Sequence, residues 1–114
     1  MIGEHHFLLQ IAMTSLEAKF HEAMLDVYKS ALKECKYRAT AFLGMVIDMN
    51  GVQAAKKLLS TSVMQSGLYE LFDCGRLDLT VETLVLQPEY QELFTLQELA
   101  EAKRRIEELQ SRSR

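Results

Sequence analysis

Across residues 16–35 the apolar side chains return every three or four positions, with no proline or glycine to interrupt them. Leu16, Phe20, Met24, Val27, Ala31, Leu32 and Cys35 share one face; Lys19, Glu22, Asp26, Lys29, Lys33 and Lys36 share the other. A 3.6-residue period held this long specifies an amphipathic α-helix with one side committed to a core. Ser15 is its predicted N-cap, and the stripe predicts an end at Cys35 or Tyr37.

The rest of the chain supplies shorter partners for that stripe. Phe42, Leu43, Val46 and Ile47 repeat the helical spacing up to Asn50-Gly51, a pair that tolerates the left-handed backbone of a helix stop. Val52, Ala55, Leu58 and Leu59 predict a further helix, with Lys56 and Lys57 outward, followed by a polar loop over 60–66. Leu68, Leu71 and Phe72 predict a helix stopping near Cys74-Gly75. Asp78 or Thr80 is placed to cap the next, whose buried face is Val81, Leu84 and Val85. Pro88 suits a first helical position, leading to Tyr90, Leu93 and Phe94. Thr95 and Glu98 have capping-box spacing, and Phe94 and Leu99 flank them as a hydrophobic staple. Leu99, Ala102, Ile106 and Leu109 carry the closing helix inward.

No run alternates with a convincing strand period, and one proline with five glycines is too little turn chemistry for an all-β chain. The expected fold is all-α: a compact bundle of about six helices, one long and N-terminal, several short. Its 114 residues fit one domain, which we place at 13–114, with 1–12 as a peripheral extension. Such a chain buries roughly 65% of its unfolded surface, enough for one core. Met24, Met45 and Met49 fall at core-like spacings, and Met64 in the loop does not.

No apolar stretch approaches the ~20 residues of a membrane span, and the start lacks the basic region of a signal peptide. A cytoplasmic setting is expected, with Cys35 and Cys74 reduced and serving as small core residues. Net charge is −3, unevenly spread. Residues 14–60 sum to +2, residues 61–102 to −7 and residues 103–114 to +3, with Glu4 completing the total. The acidic segment can pair within the chain or between two copies, or simply be solvated helix face, which is the simpler reading.

The pieces Phe42-Leu43-x-Met45, Gly51-Val52-x-Ala54-Ala55-Lys56-x-Leu58-Leu59 and Gly67-Leu68-x-x-Leu71 form an ordered series. It continues through Gly75-Arg76-Leu77-Asp78-Leu79-Thr80-Val81-Glu82 to Glu89-Tyr90-x-x-Leu93-Phe94-Thr95-x-x-Glu98. Over these roughly 70 residues the chain resembles a small helical domain of uncharacterised bacterial proteins. The resemblance implies one compact helical unit, found alone or at the C-terminus of larger proteins. It implies no activity, cofactor or catalytic residue.

Segment 75–82 is the densest in chemistry. Gly75 suits a positive φ, Arg76 offers a forked donor, and Asp78 and Glu82 are carboxylates about one turn apart. Arg76, Asp78 and Glu82 therefore form either a structural joint, in which Arg76 pairs with Asp78, Glu82 or Asp73, or a site where Asp78 and Glu82 are paired carboxylates for a metal or for acid–base work. The joint is the better-supported reading. Glu17 and His21 share a helical face, yet no second ligand pair follows, so neither metal nor cofactor is expected. Phosphate-cradling and nucleophile-elbow motifs are absent from the sequence. Lys29, Lys33, Lys36 and Arg38, or Lys103, Arg104 and Arg105, are the candidate phosphate contacts.

Three functions follow in order. The first is a non-catalytic protein–protein interaction or regulatory module, with self-association expected because Phe7, Leu8, Leu9 and Ile11 need cover. The second is an accessory nucleic-acid-binding module using Lys29, Lys33, Lys36 and Arg38. The third is a small hydrolase using Asp78 and Glu82.

Overall fold

Thr14, not Ser15, starts the long helix. Its hydroxyl accepts from the Glu17 backbone N–H at 3.0 Å, and the Glu17 carboxylate accepts from the Thr14 N–H at 3.0 Å. Only Thr14 has a glutamate at the third position to close this reciprocal box. The computed structural model describes residues 13–61 and 65–112; the predicted extension 1–12, its apolar residues and Met64 lie outside them.

The described residues form six α-helices and two 3₁₀ turns, with no strand among them, as the all-α expectation requires. These are α1 (Ser15–Cys35), α2 (Thr40–Met49), α3 (Gly51–Ser60), α4 (Gln65–Asp73), α5 (Val81–Val85) and α6 (Leu96–Arg112). A 3₁₀ turn, Leu77–Leu79, precedes α5, and another, Pro88–Leu93, separates α5 from α6.

Phe20 sits at the centre with no exposed surface, its ring edge-on to Tyr90 at 5.1 Å and to Phe94 at 5.3 Å. Met24, Val46, Ala54, Ala55 and Val85 complete a fully enclosed layer around it, and Met45 and Met49 pack on that layer partly buried. The long helix buries Phe20, Met24 and Ala31 of the predicted stripe, half-buries Leu16, Val27, Leu32 and Cys35, and leaves the predicted polar positions, Lys36 just past its end included, at the surface.

Backbone contact at one point sets how closely α1 and α3 approach. A Cβ on Gly51 would lie 2.6 Å from the His21 Cα, and the Gly51 N–H donates to His21 Nδ1 at 2.9 Å. Gly51 is the first residue of α3, chosen for absence of volume; the positive φ of the helix stop belongs to Asn50 alone, at 71°. Asn50 also caps α3, its Oδ1 accepting from the Gln53 N–H at 3.0 Å. His21 is accordingly a structural acceptor, and Glu17 is committed to the helix cap rather than to a shared ligand face.

Three sequence expectations are corrected here. Ile47 is 67% exposed, because Phe42 and Val46 already fill the inward face of α2. Lys56 is not outward: its ammonium pairs with Glu98 at 2.7 Å and lies 5.1 Å from the centre of the Phe94 ring. Cys35 and Cys74 are neither reduced nor core residues but form a disulfide, their Cα atoms 5.9 Å apart. The bond joins the C-terminal ends of α1 and α4, two places the apolar pattern identified only as helix stops.

The α4 stop follows the expected chemistry. Gly75 adopts φ +77°, the Gly75 N–H donates to Phe72 O at 2.9 Å, and the Arg76 N–H donates to Leu71 O at 2.9 Å. This is a Schellman closure that satisfies two carbonyls at the helix end.

Candidate functional site

Thr80, rather than Asp78, caps α5. Its hydroxyl accepts from the Thr83 N–H at 3.2 Å and donates to Leu77 O at 2.8 Å, tying the 3₁₀ turn to the helix. With α5 started there, Val81 and Val85 enter the core and Glu82 is carried into the interior beside them. Its side chain is only 7% exposed, and a carboxylate that deep requires a partner.

The partner comes from α6. Arg105 Nη1 donates to Glu82 Oε2 at 3.0 Å, and Nε donates to Glu101 Oε2 at 2.7 Å. Nη2 reaches the end of α3, donating to Thr61 O at 3.1 Å and Leu59 O at 3.4 Å. One guanidinium therefore joins α3, α5 and α6 and satisfies the carbonyls of a helix C-terminus. Glu101 is held near pKa 2: the Arg104 hydrogen bond is the largest cause, and Arg105 adds to it against a smaller opposing effect of burial.

Beside this cluster lies a cavity of about 320 Å³. Val27 and Ala31 of α1, Phe42 of α2, Leu58 of α3, Leu71 of α4 and Val81 of α5 give it apolar walls. Glu82 and Arg105, both deeply buried, line its inner side, and the exposed Arg38 lines its mouth with Tyr28 and Tyr37. A larger but more open and polar hollow, about 840 Å³, lies along α6 and the end of α3, and Arg105 borders both. The less open and more apolar of the two is the better binding site, because burying apolar ligand surface requires walls on several sides.

The predicted joint is only partly assembled. Arg76 holds Asp78 through two bonds, 3.0 and 3.1 Å, which keeps the Asp78 carboxyl below its usual range. Its other carboxylate is Glu34 at 3.4 Å, a partner from the end of α1 that the sequence reading missed. Asp73 and Glu82 are not its partners. The two carboxylates of the acid–base reading are held by different arginines in opposite settings, Asp78 with 62% of its side chain exposed and Glu82 with 7%.

Lys29, Lys33, Lys36 and Arg38 are all exposed and make no ion pair among the described residues. Lys36 is the left-handed cap of α1 at φ 54°. The second basic group is not available as a unit: Arg105 is buried, and Arg104 pairs with Glu101 at 2.7 Å and Glu108 at 3.0 Å. Part of the acidic segment pairs within the chain, through Lys19–Glu89 at 2.5 Å, Lys56–Glu98, and the Arg105 contacts to Glu82 and Glu101, while Glu70, Asp73 and Glu92 lie exposed.

Arg105 carried a signal in the sequence. Ala102, Arg105 and Leu109 continue the inward spacing of α6, and all three are buried. Glu101 lies four residues before it, at helix-pair spacing. No group of three or more potential metal ligands occurs among the described residues, and no helix there is long and apolar enough to cross a membrane.

No protein-family model matches the chain, and neither a curated protein nor a solved structure shows significant similarity to it.

Proposed function

We propose that this chain is a non-catalytic interaction or regulatory module that works by receiving an apolar group in the cavity between α1, α2 and α4. One observation carries the reading. The cavity is walled by apolar side chains, and the two buried charges that line it are taken up by each other. Such a site favours binding over turnover, because acid–base catalysis needs a titratable group within reach of its substrate. The resemblance to an uncharacterised helical domain is compatible with this role and adds no activity to it.

A fluorescence titration with Nile red, a neutral apolar dye, tests the proposal. Saturable one-to-one binding is expected. It should weaken at least about tenfold in Ala31→Leu, which fills the cavity, and in Ala41→Trp, which covers its mouth from an exposed position. Ala41→Trp keeps the test informative if Ala31→Leu unfolds. Equal binding by both folded variants and the parent would refute the cavity as the site.

A nucleic-acid-binding role is the second reading, favoured by the four exposed cations of the α1 face and its end, which make no ion pair among the described residues. Affinity for a mixed-sequence duplex should then fall steeply with salt; salt-independent or absent binding rejects it. The cytoplasmic setting expected from the sequence is compatible with the disulfide where that bond is cycled, since cytosolic disulfides are usually transient or redox-sensing.

A further inference from the structure

The cavity has two cations along it, and they differ in one decisive respect. Arg105 donates from all three of its nitrogens to protein acceptors, so it has little left to offer a ligand. Arg38 is exposed at the mouth and makes no ion pair among the described residues. The deep side is therefore electrically matched, the walls are apolar, and the mouth carries a forked donor with no ion pair among the described residues. We infer that the cavity binds a small amphipathic carboxylate, its apolar chain or ring inside and its carboxylate on Arg38.

Each part of such a ligand has a stated counterpart. Val27, Ala31, Phe42, Leu58 and Leu71 take the apolar portion, whose burial supplies the affinity. Arg38 supplies the polarity of the site: guanidinium matches carboxylate geometry through two parallel bonds, whereas it repels an ammonium. Volume limits the size. At ~30 Å³ per water-sized unit, the cavity holds roughly ten non-hydrogen atoms.

A small molecule fits the surface better than a protein segment does. Among the described residues the large apolar side chains that stand exposed are Ile47, Tyr69 and Leu96, and none of them lines the cavity. The volume, about 320 Å³, lies in the range of small-ligand pockets, which bury most of a small ligand's surface. The disulfide adds a structural consequence. The bond ties the chain just before the 37–42 wall to the chain just after the Ser66, Leu68 and Leu71 wall.

This inference rests on the cavity reading above, and displacement of Nile red separates the two. Octanoate, octan-1-ol and octylamine are compared below micelle-forming concentrations at neutral pH, on the parent protein, on Arg38→Gln and on Lys103→Gln. Lys103 is an exposed control that does not line the cavity. Octanoate should displace the dye at about tenfold lower concentration than octylamine, in line with a charge-assisted hydrogen bond at a partly exposed site. The octanoate advantage over octan-1-ol should collapse in Arg38→Gln and persist in Lys103→Gln. Equal displacement by acid and alcohol, or an advantage that survives in Arg38→Gln, overturns the carboxylate assignment while leaving the cavity reading intact. Failure of the parent protein to bind Nile red at all overturns both.

Discussion

Arg76 and Arg105 each bridge two carboxylates, yet they do so in opposite surroundings. Arg76 joins Glu34 and Asp78 with 37% of its side chain exposed; Arg105 joins Glu82 and Glu101 with 5% exposed. Water screens the first cluster and competes for its hydrogen bonds, so its removal only returns the charges to solvent. In the second cluster Arg105 and Glu82 are only 5% and 7% exposed, and only Glu101, at 27%, keeps contact with solvent. The Coulomb energy there is larger because the local dielectric is lower, and any unpaired buried member keeps the full cost of its desolvation. Similar geometry therefore gives a surface fastening in one place and an obligatory cross-link in the other.

Deleting the buried cation should produce the largest effect. Arg105→Met leaves Glu82 buried without its cation and is expected to cost about 3–5 kcal/mol in urea unfolding. Adding Glu82→Leu should recover a substantial part of that loss, since a buried ion pair exchanged for apolar volume is often nearly neutral. If the single change were as mild as a surface substitution, the contrast between the two arginines would fail.

Reducing the disulfide comes next. The Cys35–Cys74 bond closes a loop with a sequence separation of 39 residues beside the Arg76 cluster. Its loss should lower stability by about 2–4 kcal/mol. Thermal melts with and without a phosphine reductant measure this, and the shift should exceed that of Arg76→Gln. The reverse order would mean that the exposed fork, not the covalent bond, holds that corner.

Acid sharpens the comparison further. Glu101 has a folded-state pKa of about 2, depressed from its ordinary carboxylate value mainly by the Arg104 hydrogen bond and also by Arg105. A depressed carboxylate stabilises the fold above its unfolded pKa, and that contribution disappears as pH falls toward the folded value. Stability should thus decline between pH about 4.5 and about 2, and Glu101→Gln should flatten that decline. An unchanged slope in the variant would remove Glu101 from the cluster's energetics.

The smallest effects belong to single surface features. Thr95→Ala, which opens the capping box of α6, should cost about 1 kcal/mol. Arg76→Gln should shift the melting temperature less than any of the foregoing, and raising salt should erase what difference remains.

Legibility in the sequence followed the range of the interaction. The Thr95–Glu98 box, the Gly75 turn and the α1 stripe depend on residues within about two turns of one another, and each forms as its spacing predicts. Ser15 and Thr14 both offer a hydroxyl to cap α1, and the Glu17 partner selects Thr14. Arg105 sits in a run with Lys103 and Arg104, and such runs normally face solvent, whereas its place between Ala102 and Leu109 turns it inward. Lys56 likewise stands beside Lys57 in the sequence, and only the packed helices bring Glu98 and Phe94 to it.

By itself, then, the amino-acid order determined the helical class, most helix limits and the apolar faces, since local hydrogen bonding and the 3.6-residue period act over a few positions. Tertiary structure decided the partners. Which carboxylate meets which arginine, whether two cysteines 39 residues apart bring their Cα atoms within 5.9 Å, and which cations line the cavity all depend on how the helices pack. Those distances arise only when the helices bury their faces against one another, because a helix can present its side chains but cannot specify what stands opposite them.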